Sequence, residues 1–262
     1  LQTKQEENIM KNGKAQNLAV LATIHGVNVP KFIVLDPSLP ESKSATLLQK
    51  FLQTISHDST VAVRSSAVQE DSANASFAGM YTTRLRVPAL LLDIQSAIET
   101  VRASRAEKRE VISHYATGRK IELTDTGISV IVQEMVEADT SGVVFSHGLS
   151  GNDGYYVVST SAGIGETIVG GASNGTLTRI ARGVKVSDLK EEWQRQLVDT
   201  VKTIEGHFLS VSLDIEFAFK NGILYILQCR PITTTQARTV EVVSDLHLIG
   251  RIESLNILIA SR

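Results

Sequence analysis

Two stretches of the chain hold residue types suited to phosphate and to a hard cation. The first, VAVRSSAVQEDSANASFAGMYTT at 61–83, runs from an apolar strand-like segment into Arg64, two serines and a small-residue loop around Phe77-Ala78-Gly79. Arg64 at the end of that strand is either a structural surface arginine or a cation that serves a charge, a metal or a ligand supplied by the rest of the chain. The second, DIEFAFKNGILYILQCR at 214–230, carries Glu216, Gln228 and Arg230 on two alternating runs around Asn221-Gly222. A carboxylate beside an amide carbonyl suits Mg²⁺, which keeps several waters and shares phosphate oxygens. Arg230 beside that pair would stabilise charge on a phosphoryl group. The same residues also read as a Glu–Arg surface pair on an ordinary hairpin.

Loop length decides which of these side chains share a face, because strand side chains alternate. A two-residue Asn-Gly loop would pair Glu216 with Leu227 and turn Gln228 away. A three-residue loop with Gly222 left-handed pairs Glu216 with Ile226 and returns Gln228 to Glu216's face. It also gathers Ile215, Phe217, Phe219, Ile223, Tyr225 and Leu227 on one apolar face, with Asp214, Glu216, Gln228 and Arg230 on the other. Hydrophobic patterning fixes register, so the three-residue loop is the expectation.

Other candidates are less specific. Asn12-Gly13-Lys14 precedes a helical pattern, where backbone N–H groups and Lys14 could meet a phosphate; a plain helix start is the alternative. Ser65-Ser66 with the Gly79 loop reads as a mobile polar flap. Thr83 either donates to a phosphate or sits in a strand. Gln133, Glu134 and Met135 lie on a strand that could offer backbone groups to a flat ring, or belong simply to the core. Gly163, Gly165, Gly170 and Gly171 shape either a second ligand loop or a turn. The six histidines show no metal-ligand spacing.

The elements that must position these residues are those of an ordinary soluble protein. The chain has 262 residues, 42% hydrophobic and 21% charged, with a net charge of −2, which argues against a generic nucleic-acid or anionic-membrane surface. One cysteine, Cys229, allows no internal disulfide, and a reducing cytoplasmic setting is expected. Helices are predicted over 14–25 with Gly26 as cap, over 45–55, over much of 90–117, and from Ser187 as N-cap through Leu189, Trp193, Leu197 and Val201. KFIVL, VAVR, ISVIVQEMV, SGVVFS and GYYVVS read as strands. The fold class is α+β, or mixed α/β, with mainly antiparallel sheet.

Taken in order, KNGKAQNLAVL with VNVPKFIVL, VAVRSSAVQEDSANASFAGMYTT, VQEMVEADTSGVVF, SAGIGETIVGG and DIEFAFKNGILYILQCRPIT resemble the N-terminal nucleotide-binding domain of the phosphoenolpyruvate synthase and pyruvate phosphate dikinase family, a domain shared with rifampin phosphotransferases. The resemblance implies an ATP-grasp-like fold over residues 1–235, with two lobes split near 118–128 that close on Mg-ATP. It implies that Lys14 and Arg64 contact phosphates, that Thr83 sits in the loop closing over ATP, and that Gln133, Glu134, Met135 and Val136 form the hinge around adenine. Glu216 and Gln228 match the metal ligands, and Arg230, with Arg64 and Lys14, the catalytic cations.

It further implies transfer of a phosphoryl group from ATP to a histidine on a separate swivelling domain, and on to pyruvate or another small acceptor; from the net charge, neither nucleic acid nor membrane is expected as a partner. The sequence departs from the family's pattern in several places. Residues 30–61 are short, GGK is NGK, the acidic residue before the loop threonine is Thr82, and SHGLSG at 146–151 stands where the family has Asp-Pro. No Gly-Gly–Thr/Ser-x-His-Ala phosphohistidine motif occurs, so this chain, which starts at Leu1 without a methionine, is expected to be an excised piece or to work with a partner. Residues 236–262, rich in Leu and Ile, are expected to meet a further domain or subunit. A standalone ATP-grasp kinase or ligase and a non-catalytic nucleotide-binding module are the rival functions.

Overall fold

The computed structural model describes residues 13–66, 71–72, 75–76, 82–107, 128–147, 154–163, 175–208 and 212–232. The chain divides into two compact units, Lys11–Gln16 with Pro30–Met135, and Leu1–Met10 with Asn17–Val29 and Val136–Arg262. Residues 118–127 of the break expected near 118–128, the loop at Phe77-Ala78-Gly79, the glycines Gly165, Gly170 and Gly171, and the tail at 236–262 lie outside the described residues.

In the first unit, strands β1 (Phe32–Leu35), β2 (Thr60–Ser66), β5 (Thr83–Pro88) and β6 (Ser129–Glu134) form an antiparallel sheet in the order β1-β6-β2-β5, and β3 (Asp71–Ser72) pairs with β4 (Ala75–Ser76). Strand alternation sends Val61, Val63, Val130 and Val132 to one face. They pack there with Leu48 and Phe51 of helix α2 (Glu41–Leu52) and with Ile94, Ile98 and Val101 of helix α3 (Leu91–Glu107). The 94, 98, 101 spacing is one stripe of a 3.6-residue helix. Helix α2 starts four residues earlier than its apolar pattern predicts, because Pro40 carries the preset φ of a helix entry and its carbonyl accepts from Lys43 and Ser44.

In the second unit, β7 (Thr140–Phe145), β8 (Tyr155–Ala162), β9 (Thr176–Ala181), β10 (Leu213–Lys220) and β11 (Ile223–Pro231) form an antiparallel sheet in the order β11-β10-β7-β8-β9. Helix α4 (Glu192–His207) buries Leu197, Val198, Val201 and Ile204, and it lies on the face carrying Tyr156, whose hydroxyl donates to Glu205. Ser187 is not the N-cap. It lies in a 3-10 turn, Val186–Asp188, and α4 begins after Glu191 without a side-chain cap. The Arg195 guanidinium satisfies the Leu189 and Lys190 carbonyls just ahead of the helix. Helix α1 (Lys14–Leu21) is shorter than the predicted 14–25, although Gly26 has the expected left-handed φ of 83°. The residues between them continue as tight turns, with Thr23 and Ile24 bonded three residues back.

The mixed α/β class with antiparallel sheets therefore holds, and no helix among the described residues is long and apolar enough to cross a membrane.

A glycine is obligatory at one point of the second sheet. A Cβ on Gly142 would lie 2.3 Å from the Ser159 carbonyl oxygen and 2.7 Å from the Phe217 ring. The gap in β7 leaves room for the buried Phe217 ring. Gly142→Ala should lower stability by about 1–3 kcal/mol, the usual cost of overpacking a core, with partial recovery in the Gly142→Ala/Phe217→Leu double variant. Thermal denaturation checks this, and an unshifted midpoint in the single variant would contradict the packing.

Candidate active site

Arg64 stands mid-sheet in the first unit, opposite Thr83 on one side and Ile131 on the other. A regular ladder would not give that pairing. Val61 faces Val87 but Val63 faces Arg84, so β5 carries one extra residue, and Arg86 there adopts a left-handed φ of 53°. This bulge moves Thr83 from the Ser65 position to the Arg64 position, onto the face opposite the valine core. Arg64, Thr83, Ser66 and Gln133 share that face by register.

Ser65 and Ser66 are not a mobile flap. Both are buried at the end of β2, and the Ser66 hydroxyl accepts the Ala15 N–H at 2.9 Å. A helix leaves its first N–H groups without intrahelical partners. Ser66 satisfies one of them, and so fixes the first turn of α1, with Lys14 as its opening residue, beside the strand that holds Arg64. No sequence spacing revealed this bond, because its ends are 51 residues apart.

The residues expected around adenine divide. Gln133 lies on Arg64's face, is 2% exposed, and its Nε2 has no hydrogen-bond partner among the described residues. Glu134 alternates to the other face, where its carboxylate accepts from the Ser59 hydroxyl at 3.2 Å. The N–H groups of Glu134 and Met135 donate to the Lys31 and Thr60 carbonyls. Val136 begins the second unit's share of the chain.

In the second unit the hairpin register differs from the expected one. Lys220 pairs with Ile223 across a two-residue loop, with Asn221 at φ 51° and Gly222 at φ 74°. Both signs are those of a type I′ turn, whose twist matches paired strands and which Asn-Gly favours. The three-residue loop and the Glu216–Ile226 pairing are therefore wrong. Phe217 faces Ile226, Glu216 faces Gln228, and Leu227 is the extra residue of a β-bulge between them. The apolar face consists of Ile215, Phe217, Phe219, Leu224, Ile226 and Cys229; Ile223 is exposed, and Tyr225 pairs with Ala218 on the other side. The bulge nonetheless delivers Gln228 to Glu216's face.

Next along that face Asp214 pairs with Arg230. Both are buried, and the Arg230 Nε and Nη2 donate to one Asp214 oxygen at 2.8 and 2.7 Å. Arg230 thus makes a buried contact with Asp214. The Cys229 thiol, on the opposite face, is pushed well above its usual range by burial and then by the Asp214 charge. Asn17 of α1, fully buried, donates from Nδ2 to the Cys229 carbonyl at 3.1 Å.

The donor set fits Mg²⁺. Glu216, half-buried, and Gln228, buried, offer two oxygen ligands directly across one ladder rung. Among the described residues no group of three or more His, Cys, Asp and Glu side chains could hold a metal. Two protein oxygens suit an ion that completes its shell with water and phosphate, not one that needs a closed protein cage. Of the glycine-rich segment, Gly163 has a φ of 73° and its N–H donates to the Asp139 carbonyl, a turn held from both ends because Ser141 Oγ donates to Gly163's own carbonyl.

Comparison with known proteins adds what geometry leaves open. The chain is 28% identical over 247 residues to the probable phosphoenolpyruvate synthase of Methanothermobacter thermautotrophicus, covering 80% of this chain and 36% of that protein. It is 31% identical over 210 residues to the probable phosphoenolpyruvate synthase of Archaeoglobus fulgidus, covering 66% and 27%. It is 27% identical over 234 residues to the rifampicin phosphotransferase of Bacillus subtilis, covering 77% and 26%. The chain thus spans only about a third or less of these relatives' length. Its fold is shared with the crystal structure of PH1788 from Pyrococcus horikoshii, at 12% identity and a TM-score of 0.52 over 88% of this chain and 96% of that one. The sequence model of the pyruvate phosphate dikinase AMP/ATP-binding domain matches residues 34–183 and 176–248, well over half of the chain. The chain belongs to that family.

Proposed function

We propose that the chain is the Mg-ATP-binding module of an ATP-dependent phosphotransferase, similar to phosphoenolpyruvate synthase, which passes a phosphoryl group from ATP to a histidine on a separate swivelling domain and on to pyruvate or another small acceptor. The observation that carries this reading is the Glu216–Gln228 rung beside the buried Asp214–Arg230 pair. It is supported by relatives named as phosphoenolpyruvate synthases and a rifampicin phosphotransferase. A single, buried, unpaired cysteine accords with the cytoplasmic setting we assign to it.

Phosphoryl transfer asks a protein mostly for position and charge, since little covalent chemistry falls to side chains. Lys14 and Arg64 supply cations for the phosphates, and Thr83 a hydroxyl beside Arg64. Gln133, Glu134, Met135 and Val136 line the base. Glu216 and Gln228 would hold Mg²⁺, which would supply positive charge against that of the phosphates. Arg230 is fixed by Asp214, so its fork meets the transferring group without reorganising.

Incubating the purified chain with Mg-ATP, with and without a phosphohistidine-domain partner of the same family, tests the proposal. AMP formed only with the partner, together with phosphate on its histidine, is the expected result. ADP formed with a small acceptor and no partner would make the chain a self-contained kinase or ligase.

Arg230 is best probed by Arg230→Lys, because Arg230→Ala would strand Asp214 in a buried site at a cost of about 3–5 kcal/mol. Lysine keeps the charge and loses the fork. Turnover should fall by at least about 10²-fold, as for loss of a transition-state donor, while the nucleotide dissociation constant stays within about threefold. Unchanged turnover would remove Arg230 from the chemistry. Arg64→Ala should instead weaken Mg-ATP binding by about tenfold or more, the loss of one charge-assisted hydrogen bond, as titration calorimetry would read.

A further inference from the structure

A second buried polar cluster lies in the second unit, apart from Glu216 and Gln228. Glu205 on α4 is buried, and its carboxylate accepts from Arg182 Nη1 at 2.7 Å and from the Tyr156 hydroxyl at 3.2 Å. The Arg182 guanidinium also lies over the Tyr156 ring at 4.7 Å. Burial, and then the Glu205 charge, push the Tyr156 hydroxyl up to about 12, so it stays a donor. His147 Nδ1 is 3.7 Å from Glu205 and 3.1 Å from the Ser146 hydroxyl.

Arg182 Nη1 also donates to the Ser146 backbone carbonyl, and this has a consequence for the neighbouring strand. The last regular rung between β7 and β10 pairs Phe145 with Asp214. One residue further the Ser146 N–H donates to the Leu213 carbonyl at 2.8 Å, so the Ser146 carbonyl would ordinarily accept from Leu213 in return. Arg182 occupies that carbonyl, and the Leu213 N–H donates to the Ser146 hydroxyl instead, at 2.8 Å. Ser146 is fully buried, so without its hydroxyl the Leu213 N–H would be left unsatisfied.

Leu213 immediately precedes Asp214, whose single oxygen takes both the Nε and Nη2 of Arg230. We propose that Ser146, held by Arg182 and Glu205, is a positioning residue that sets the strand end carrying Asp214 and thereby the orientation of Arg230. The proposal rests on the catalytic reading of Arg230, but the contacts it invokes are independent of that reading. Ser146 stands in SHGLSG, where the resemblance led one to expect Asp-Pro nearby. A serine there does work that no spacing rule announces.

The test is amide and guanidinium hydrogen exchange by NMR on the full chain, with the Arg230 Nε–H identified by its loss in Arg230→Lys. In Ser146→Ala, exchange at the Arg230 Nε–H should rise about tenfold, the scale of one lost hydrogen bond. The Val158 N–H on β8 should stay at its wild-type rate, and Ser146→Thr should restore the Arg230 rate. With the histidine-domain partner, AMP formation should show a lower kcat at an unchanged KM for Mg-ATP. Should Ser146→Ala fail to fold, Glu205→Gln must give the same local acceleration. Equal acceleration at Arg230 and Val158, or none at Arg230 in either variant, overturns the proposal. A wild-type chain that makes no AMP sinks the functional reading alone, because the exchange comparison still decides the positioning role.

Discussion

The two-residue alternation of strand side chains is the constraint on which the candidate residues of each unit depend. Each unit contains two of these residues that a regular ladder would send to opposite faces. In the first unit Thr83 would pair with Ser65, and in the second Gln228 would point away from Glu216. Each sheet corrects the phase with one extra residue, at Arg86 in β5 and at Leu227 in β11. A bulge disrupts one rung and re-aims every side chain beyond it. Losing one rung costs little beside placing an arginine opposite a threonine, or an amide opposite a carboxylate.

The same parity explains why the sequence yielded the right face from the wrong register. Relative to a regular two-residue loop, which pairs Glu216 with Leu227, a three-residue loop shifts the pairing by one residue in one direction, to Ile226, and the bulge shifts it by one in the other, to Gln228. Either brings Gln228 into phase with Glu216. The partners differ throughout, but the faces differ only nearer the turn, where the apolar set is Leu224 and Ile226 rather than Ile223, Tyr225 and Leu227. Alternation over Ile223–Leu227 is apolar at every position, so patterning there could not choose between registers. Asn-Gly spoke plainly for a tight turn, and its preference for two left-handed residues outweighed the pattern.

What stayed illegible shares a physical character: single hydrogen bonds between residues distant in sequence. Ser66 receives the Ala15 N–H across 51 residues, Asn17 reaches Cys229 across 212, and Ser146 receives the Leu213 N–H across 67. Each satisfies a buried backbone group, a requirement that any fold must meet but that leaves no local signature. Serines after Arg64 therefore read as a polar loop, although they are the buried end of a strand. Ser187 misled in the opposite sense, since its local cap signature was sound but the helix began five residues later. The order of blocks along the chain, rather than any one of them, was what carried the family resemblance.

Burial changes along the face that bears Glu216 and Arg230, and the change fits the chemistry proposed for it. Glu216 is half-buried, whereas Asp214 and Arg230 one rung away are nearly enclosed. A Mg²⁺ ligand has to remain near water, because the ion keeps part of its hydration and exchanges the rest for phosphate. An arginine that meets developing charge gains from the reverse, since a dry surrounding strengthens its field and a fixed fork needs no reorganisation. Enclosing a lone guanidinium would be prohibitive, and Asp214 offsets that cost. The aspartate also spends part of the cation's charge. A tightly held Asp–Arg pair is therefore a poor bargain for binding ATP and a reasonable one for orienting a donor, which is why the arginine's place in turnover, rather than in affinity, is the property on which the functional reading stands.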